Sequence, residues 1–139
     1  MALTILALAI VACAGPAAGS GPLHLYSSVE DRTLNVEWRA DLPSGAEVFL
    51  VVWHEADHTA LNDSRELRVG MSSVSQQFDL RAWPAGRIHV ELTFKPWAQT
   101  DLSVLAEVGE SGEHLTGPQV KTDSDSQRYV ATEQVVDLP

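Results

Sequence analysis

Two stretches of this 139-residue chain alternate apolar and polar side chains with a period of two. The stretch 87–95 has an apolar residue at every second position, namely Ile88, Val90, Leu92 and Phe94. The stretch 33–39 repeats the pattern with Leu34, Val36 and Trp38. Because successive side chains of a strand point to opposite faces, each stretch predicts a β-strand with one buried face.

Further segments complete a mainly β chain. Residues 46–53 are continuously β-branched, aromatic or otherwise apolar apart from Glu47, which is typical of a central strand covered on both sides. Weaker strand patterns occupy 23–29, 66–69, 74–80 and 128–136. One short helix is predicted near 101–108, capped by Thr100 and ended by Gly109. About seven short strands at this spacing predict an immunoglobulin-like antiparallel β-sandwich.

The composition indicates one folded domain, which we assign to residues 23–138. Hydrophobic residues make up 45% of the chain and charged residues 20%, so the chain is too apolar for disorder. A single cysteine excludes an intramolecular disulfide. The formal net charge of −10 argues against nucleic acid or an anionic lipid surface as a direct partner.

Residues 1–13 have the features of a signal peptide. An apolar run at 5–11 breaks soon afterwards at Gly15-Pro16, whereas a spanning helix needs about 20 apolar residues. The residues Ile10-Val11-Ala12-Cys13 resemble the bacterial lipobox. This resemblance implies that Cys13 is lipidated and becomes the first residue of the mature protein, followed by a flexible linker at 14–22. Several acyl chains would form a nearly permanent lipid anchor.

The predicted location is therefore the bacterial cell envelope. Ala14, rather than Asp, follows the cysteine, which in a Gram-negative cell resembles lipoproteins that are sent to the outer membrane. The alternative is an ordinary secretory signal cut after Ala14 or near Gly19, which would release a secreted or periplasmic protein.

Three motifs resemble a family of uncharacterised bacterial secreted or lipoprotein domains. They are an L-P-x-G turn at 42–45, a P-x-G-x-x-x-V-E strand at 84–91, and G-x-x-G-E-x-L-x-G-P-x-V at 109–120. The resemblance is partial and covers about half of the chain, since Ile88 replaces the usual aromatic residue and the segment 53–79 has no counterpart. It implies an immunoglobulin-like sandwich of unknown role and supplies no catalytic residues.

The segment His54-Glu55-Ala56-Asp57-His58 matches the H-E-x-x-H pattern of zinc peptidases. In those enzymes two histidines bind zinc and the glutamate acts as a base. The chemistry needs a helix, on which the histidines lie about 6 Å apart, against about 13 Å in a strand. We expect a strand end and a loop here, although 54–67 contains tolerable helix formers. A zinc peptidase that uses His54 and His58 as ligands and Glu55 as base stays as an alternative.

The four tryptophans allow a further alternative. Trp38 and Trp53 lie in strand patterns and are predicted core residues, whereas Trp83 and Trp97 adjoin prolines in turns. These two bracket one strand and so lie about 30 Å apart, which excludes a single aromatic platform. One of them could still contact a carbohydrate. The sequence as a whole predicts a non-enzymatic binding or structural module without a cofactor, whose partner is an envelope protein or a glycan.

Overall fold

The computed structural model describes residues 21–139. The predicted signal peptide 1–13 with Cys13, and most of the linker 14–22, lie outside the described residues. The chain forms β1 (Leu23–Glu30), β2 (Thr33–Ala40), β3 (Glu47–His54), β4 (Asn62–Arg68), β5 (Ser75–Asp79), β6 (Gly86–Phe94), a 3-10 turn (Pro96–Ala98), α1 (Leu102–Val108), β7 (Val120–Thr122) and β8 (Arg128–Leu138). Neither helical element among these residues is long and apolar enough to cross a membrane.

The strands form two antiparallel sheets. One sheet has the order β1-β2-β5 and the other has the order β4-β3-β6-β8-β7. The predicted antiparallel β-sandwich is thereby confirmed. β4 pairs with β3, whereas in constant-type immunoglobulin domains the fourth strand joins the opposite sheet. The larger sheet is therefore broad, with β3 and β6 at its centre.

The core lies between the sheets and includes the inner faces of the two predicted alternating strands and of β3, together with residues of β1, β5 and β8. In β6, the four apolar residues of the pattern are completely buried. In β2, Leu34, Val36 and Trp38 are 5% exposed or less. The inner residues of β3 that complete this layer are Val48, Leu50 and Val52. Because each alternating strand presents one apolar face, the sequence pattern of β2 and β6 predicts which of their residues enter this core.

The prediction that 46–53 is covered on both sides is wrong. β3 is central in its sheet, yet Phe49, Val51 and Trp53 on its second face are only partly buried. Trp53 is therefore not a core residue. A sandwich has two layers, so a sheet is covered by the other sheet on one face only. The apolar run of β3 reflects strand propensity on the outer face as well as burial on the inner face.

The predicted helix is present, with one difference. Asp101, rather than Thr100, caps α1, because its side chain accepts a hydrogen bond from the Ser103 amide at 2.9 Å. The Ser103 hydroxyl also donates to Asp101, and these bonds hold the pKa of the Asp101 carboxyl below its usual value. The helix buries Val104 and Val108, while Leu102 is 78% exposed. It connects β6 to β7 within the larger sheet.

Candidate functional site

The H-E-x-x-H segment lies at a strand end and in a loop. β3 ends at His54, and the Asp57 amide donates to the His54 carbonyl at 3.2 Å. One turn follows, in which the Leu61 amide donates to the Asp57 carbonyl at 2.9 Å before β4 begins. The strand end and loop that we expected are confirmed. The helix that a zinc peptidase needs at 54–58 is not formed.

His54 has a structural role in this loop. The imidazole is 3% exposed, and its Nδ1 accepts a hydrogen bond from the Ala56 amide at 3.0 Å. That bond assigns the proton of a neutral ring to Nε2, which lies 3.1 Å from the Pro84 carbonyl oxygen. A Cβ atom on Gly86 would lie 2.7 Å from the ring, so the turn before β6 packs directly on this histidine. Neither ring nitrogen has a lone pair left for a metal.

The other two residues of the motif point elsewhere. His58 is exposed in the loop, and the Glu55 carboxylate lies 3.4 Å from the Arg87 guanidinium on β6. Within residues 21–139, no group of three or more His, Cys, Asp or Glu side chains is placed to hold a metal ion. The structure does not bring the three motif residues together in the arrangement of a zinc peptidase.

The two candidate carbohydrate contacts differ in accessibility. Trp83 is partly buried against the core, and its ring meets His54 edge-on with centroids 6.5 Å apart. Trp97 is 40% exposed and meets Tyr129 edge-on at 6.0 Å. They flank the two ends of β6, as predicted. Trp97 is thus the more accessible of the two candidates.

The outer surface of the larger sheet brings together residues that the sequence analysis did not connect. Three consecutive rows cross the strands β4, β3, β6 and β8 in register and alternate with the inward-facing residues, so their twelve side chains lie on the face away from the core. Thr93 and Ala131 in the third row are nonetheless buried, at 3% and 5% exposed. We name these twelve residues the outer sheet face. The rows are Asn62-Trp53-His89-Val135, Ser64-Val51-Glu91-Glu133 and Glu66-Phe49-Thr93-Ala131.

His89 is the most highly connected side chain of the outer sheet face. Its imidazole stacks on the Trp53 indole, with centroids 5.1 Å apart and planes at 12°. Its Nδ1 lies 2.7 Å from the Glu133 carboxylate, and its Nε2 lies 3.6 Å from the Glu55 carboxylate. The side chain is 18% exposed. The imidazole therefore joins an aromatic side chain to two carboxylates from different parts of the chain.

The outer sheet face carries negatively charged side chains without lysine or arginine. Three of its twelve residues are Glu and none is Lys or Arg. Glu91 and Glu133 stand directly opposite each other on β6 and β8, an arrangement of like charges that costs stability. Five further residues are apolar: Phe49, Val51, Trp53, Ala131 and Val135. The face combines apolar side chains with negative charge.

An open cavity of about 340 Å³ adjoins the face at Glu66. Glu47, which is 4% exposed, contributes to its lining and forms an ion pair with Arg68. The Glu47 carboxylate also accepts a hydrogen bond from the Thr100 hydroxyl at 3.1 Å. Because these partners satisfy the buried charge, we interpret the pair as a structural link between β3, β4 and the segment after β6.

No family model, curated protein or solved structure matches the chain. The resemblance to uncharacterised bacterial secreted or lipoprotein domains therefore stays a prediction. Its motifs occupy a turn, the strand β6 and the end of α1: the Gly45 amide donates to the Val69 carbonyl at 2.9 Å, and Gly109 ends α1. These are structural roles.

Proposed function

We propose that this protein is a bacterial cell-envelope lipoprotein whose β-sandwich is a non-enzymatic binding module. The observation that carries the proposal is the lipobox-like Ile10-Val11-Ala12-Cys13, followed by a short linker and a sandwich with a partly apolar, acidic outer sheet face. The lipid would hold the module at the membrane surface, and the face would bind a partner there.

The short linker between Cys13 and the sandwich limits the distance between the module and the membrane. Pro22 is already part of the folded domain, because its carbonyl accepts a hydrogen bond from the Asp41 amide at 2.7 Å. Seven residues, 14–20, lie between Cys13 and Gly21, and a fully extended chain spans about 3.3 to 3.6 Å per residue. The domain therefore lies within roughly 30 Å of the lipid surface. A partner would have to lie close to that membrane.

Metabolic labelling tests the anchor. The full chain is expressed in a Gram-negative host with an alkyne fatty acid, and the membrane fraction is analysed for label. We expect label in the wild type and none in Cys13→Ser, because Cys13 is the chain's only thiol. Ala14→Asp serves as the matched control, since it retains the acylated residue and changes only the predicted sorting. An unlabelled wild-type protein in the soluble fraction would favour the secretory alternative.

A carbohydrate contact is a second candidate, supported by the exposed Trp97, whose ring meets the partly buried Tyr129 edge-on. Tryptophan fluorescence during titration with neutral oligosaccharides tests it. A spectral shift that Trp97→Ala abolishes would support this candidate. Tyr26→Ala is the control, because Tyr26 is an aromatic residue that is 64% exposed on the opposite sheet. Equal titrations for both variants would exclude a role for Trp97.

A further inference from the structure

Two features of the outer sheet face are energetically unfavourable in the isolated domain. Glu91 and Glu133 face each other across adjacent strands, and no lysine or arginine lies in the three rows to offset them. Beside them, Trp53 and Phe49 are only partly buried, and Val135 is 40% exposed. Both features would be relieved by one kind of partner, namely one that covers the apolar side chains and brings positive charge.

We propose that the outer sheet face binds a short, extended protein segment that presents lysine or arginine side chains. This inference rests on the proposed role as a binding module and is independent of the lipid anchor. The aliphatic stems of the basic side chains would lie on the apolar residues, and their charged ends would reach the carboxylates of Glu66, Glu91 and Glu133.

The dimensions of the face favour a short segment over a large folded surface. Four strands about 4.8 Å apart span roughly 14 Å, and three rows two residues apart span roughly 13 Å. An extended chain covers this distance with about four or five residues. An area of this size is typical of a weak, transient contact. We therefore expect modest affinity and a strong dependence on salt.

The charge of the protein argues against other occupants. A second copy of the chain would bring a net charge of −10 toward another −10, and nucleic acid would be repelled for the same reason. A pyranose ring could not stack on the Trp53 indole face that the His89 imidazole already covers at 5.1 Å. A basic protein segment is not repelled by the negative charge and does not need to stack on the covered face of the Trp53 indole.

His89 prepares the face for such a segment. Its contacts with Glu133 at 2.7 Å and with Trp53 hold one carboxylate and one aromatic ring in fixed positions. Arg87 restrains Glu55 at the edge of the same cluster. Side chains that are already ordered lose less conformational entropy when a ligand binds. Glu91 and Glu66 form no ion pair within residues 21–139. Glu91 accepts one hydrogen bond, from the Thr93 hydroxyl at 3.1 Å, and its charge is not offset by a cation among these residues.

A binding assay with a defined probe tests the inference. The probe is a fluorescein-labelled peptide of eight alternating lysine and tyrosine residues, added to the purified full chain in neutral detergent. The control peptide has every lysine acetylated, which removes the charge and keeps the backbone. We expect fluorescence anisotropy to report binding of the first peptide, at least tenfold weaker binding of the second, and weakening of the first as salt rises.

Matched charge variants locate the binding. Glu91→Gln/Glu133→Gln removes two carboxylates from the outer sheet face, and Glu30→Gln/Glu37→Gln removes two from the exposed face of the smaller sheet. We expect roughly tenfold weaker binding for the first pair and less than a twofold change for the second. Thermal melting of each variant establishes that it is folded.

Three results would overturn the inference: equal weakening by both pairs, equal binding of the acetylated peptide, or no binding by the wild type. Labelling of Cys13 is measured separately, so failure of this assay leaves the anchor test unaffected. Fluorescence changes with neutral oligosaccharides that Trp97→Ala abolishes would instead assign the module to glycans. Failure of the inference and failure of the proposed function are thus distinguishable.

Discussion

Replacing His54 tests whether this histidine has a structural role or binds zinc. His54→Ala removes two hydrogen bonds, each worth about 0.5 to 1.5 kcal/mol, and the edge-on contact with Trp83, worth a further 0.5 to 1.5 kcal/mol or so. The expected loss of unfolding free energy is about 3 kcal/mol. For a domain of about 120 residues this lowers the melting temperature by roughly 12 °C. His58→Ala, at an exposed loop position, should cost less than about 0.5 kcal/mol.

Calorimetry of the two variants, with and without EDTA, measures these differences. We expect the chelator to leave the wild-type melting temperature unchanged, because the ring nitrogens of His54 are occupied by the Ala56 amide and the Pro84 carbonyl. Equal losses in the two variants, together with a lower wild-type melting temperature in EDTA, would refute this reasoning. Such a result would support shared metal ligation by His54 and His58.

Three more outcomes follow from local geometry. Gly86→Ala should destabilise the domain by about 1 to 3 kcal/mol in chemical denaturation, because φ is +149° and the added Cβ would meet His54 at 2.7 Å. Hydrogen bonds from Arg81 lower the pKa of Asp79 from 3.8 to about 2, so this carboxylate adds stability above pH 3.8 that is lost as pH falls toward 2. Asp79→Asn should therefore show a smaller drop in melting temperature over that range than the wild type, and equal drops would contradict the assignment. Glu91→Gln should raise stability in chemical denaturation by a few tenths of a kcal/mol, since it removes cross-strand repulsion; a clear loss would show that the carboxylate is stabilising.

The sequence predicts those strands in which apolar and polar residues alternate, because this alternation identifies the buried face. β2 and β6 alternate strictly, and both are found almost within the predicted bounds. β4 begins at Asn62, four residues before the predicted start, because pairing with β3 extends a polar stretch that has little strand propensity. β7 has three residues, too few for a period to be visible, and exists through its pairing with β8.

The candidate site is harder to predict from the sequence than the strands are, because it forms only through the pairing register between strands. Trp53, His89 and Glu133 come from three strands, and their contacts depend on which residues face each other across the sheet. A single chain pattern carries no such pairing information. A partial signal is the apolar run at 46–53, which predicts burial of both faces of this strand. The H-E-x-x-H pattern was conversely visible, but its chemistry depends on a helix that the β3 strand end does not provide.

Site-specific photo-crosslinking in living cells tests most directly whether the sandwich binds a partner through its outer sheet face. A benzophenone amino acid replaces Val135, which is 40% exposed on this face, or Tyr26, which is 64% exposed on the opposite sheet. We predict a discrete adduct from position 135 that disappears with Glu91→Gln/Glu133→Gln, and none from position 26. Adducts of equal yield from both positions, or none from position 135, would contradict the account.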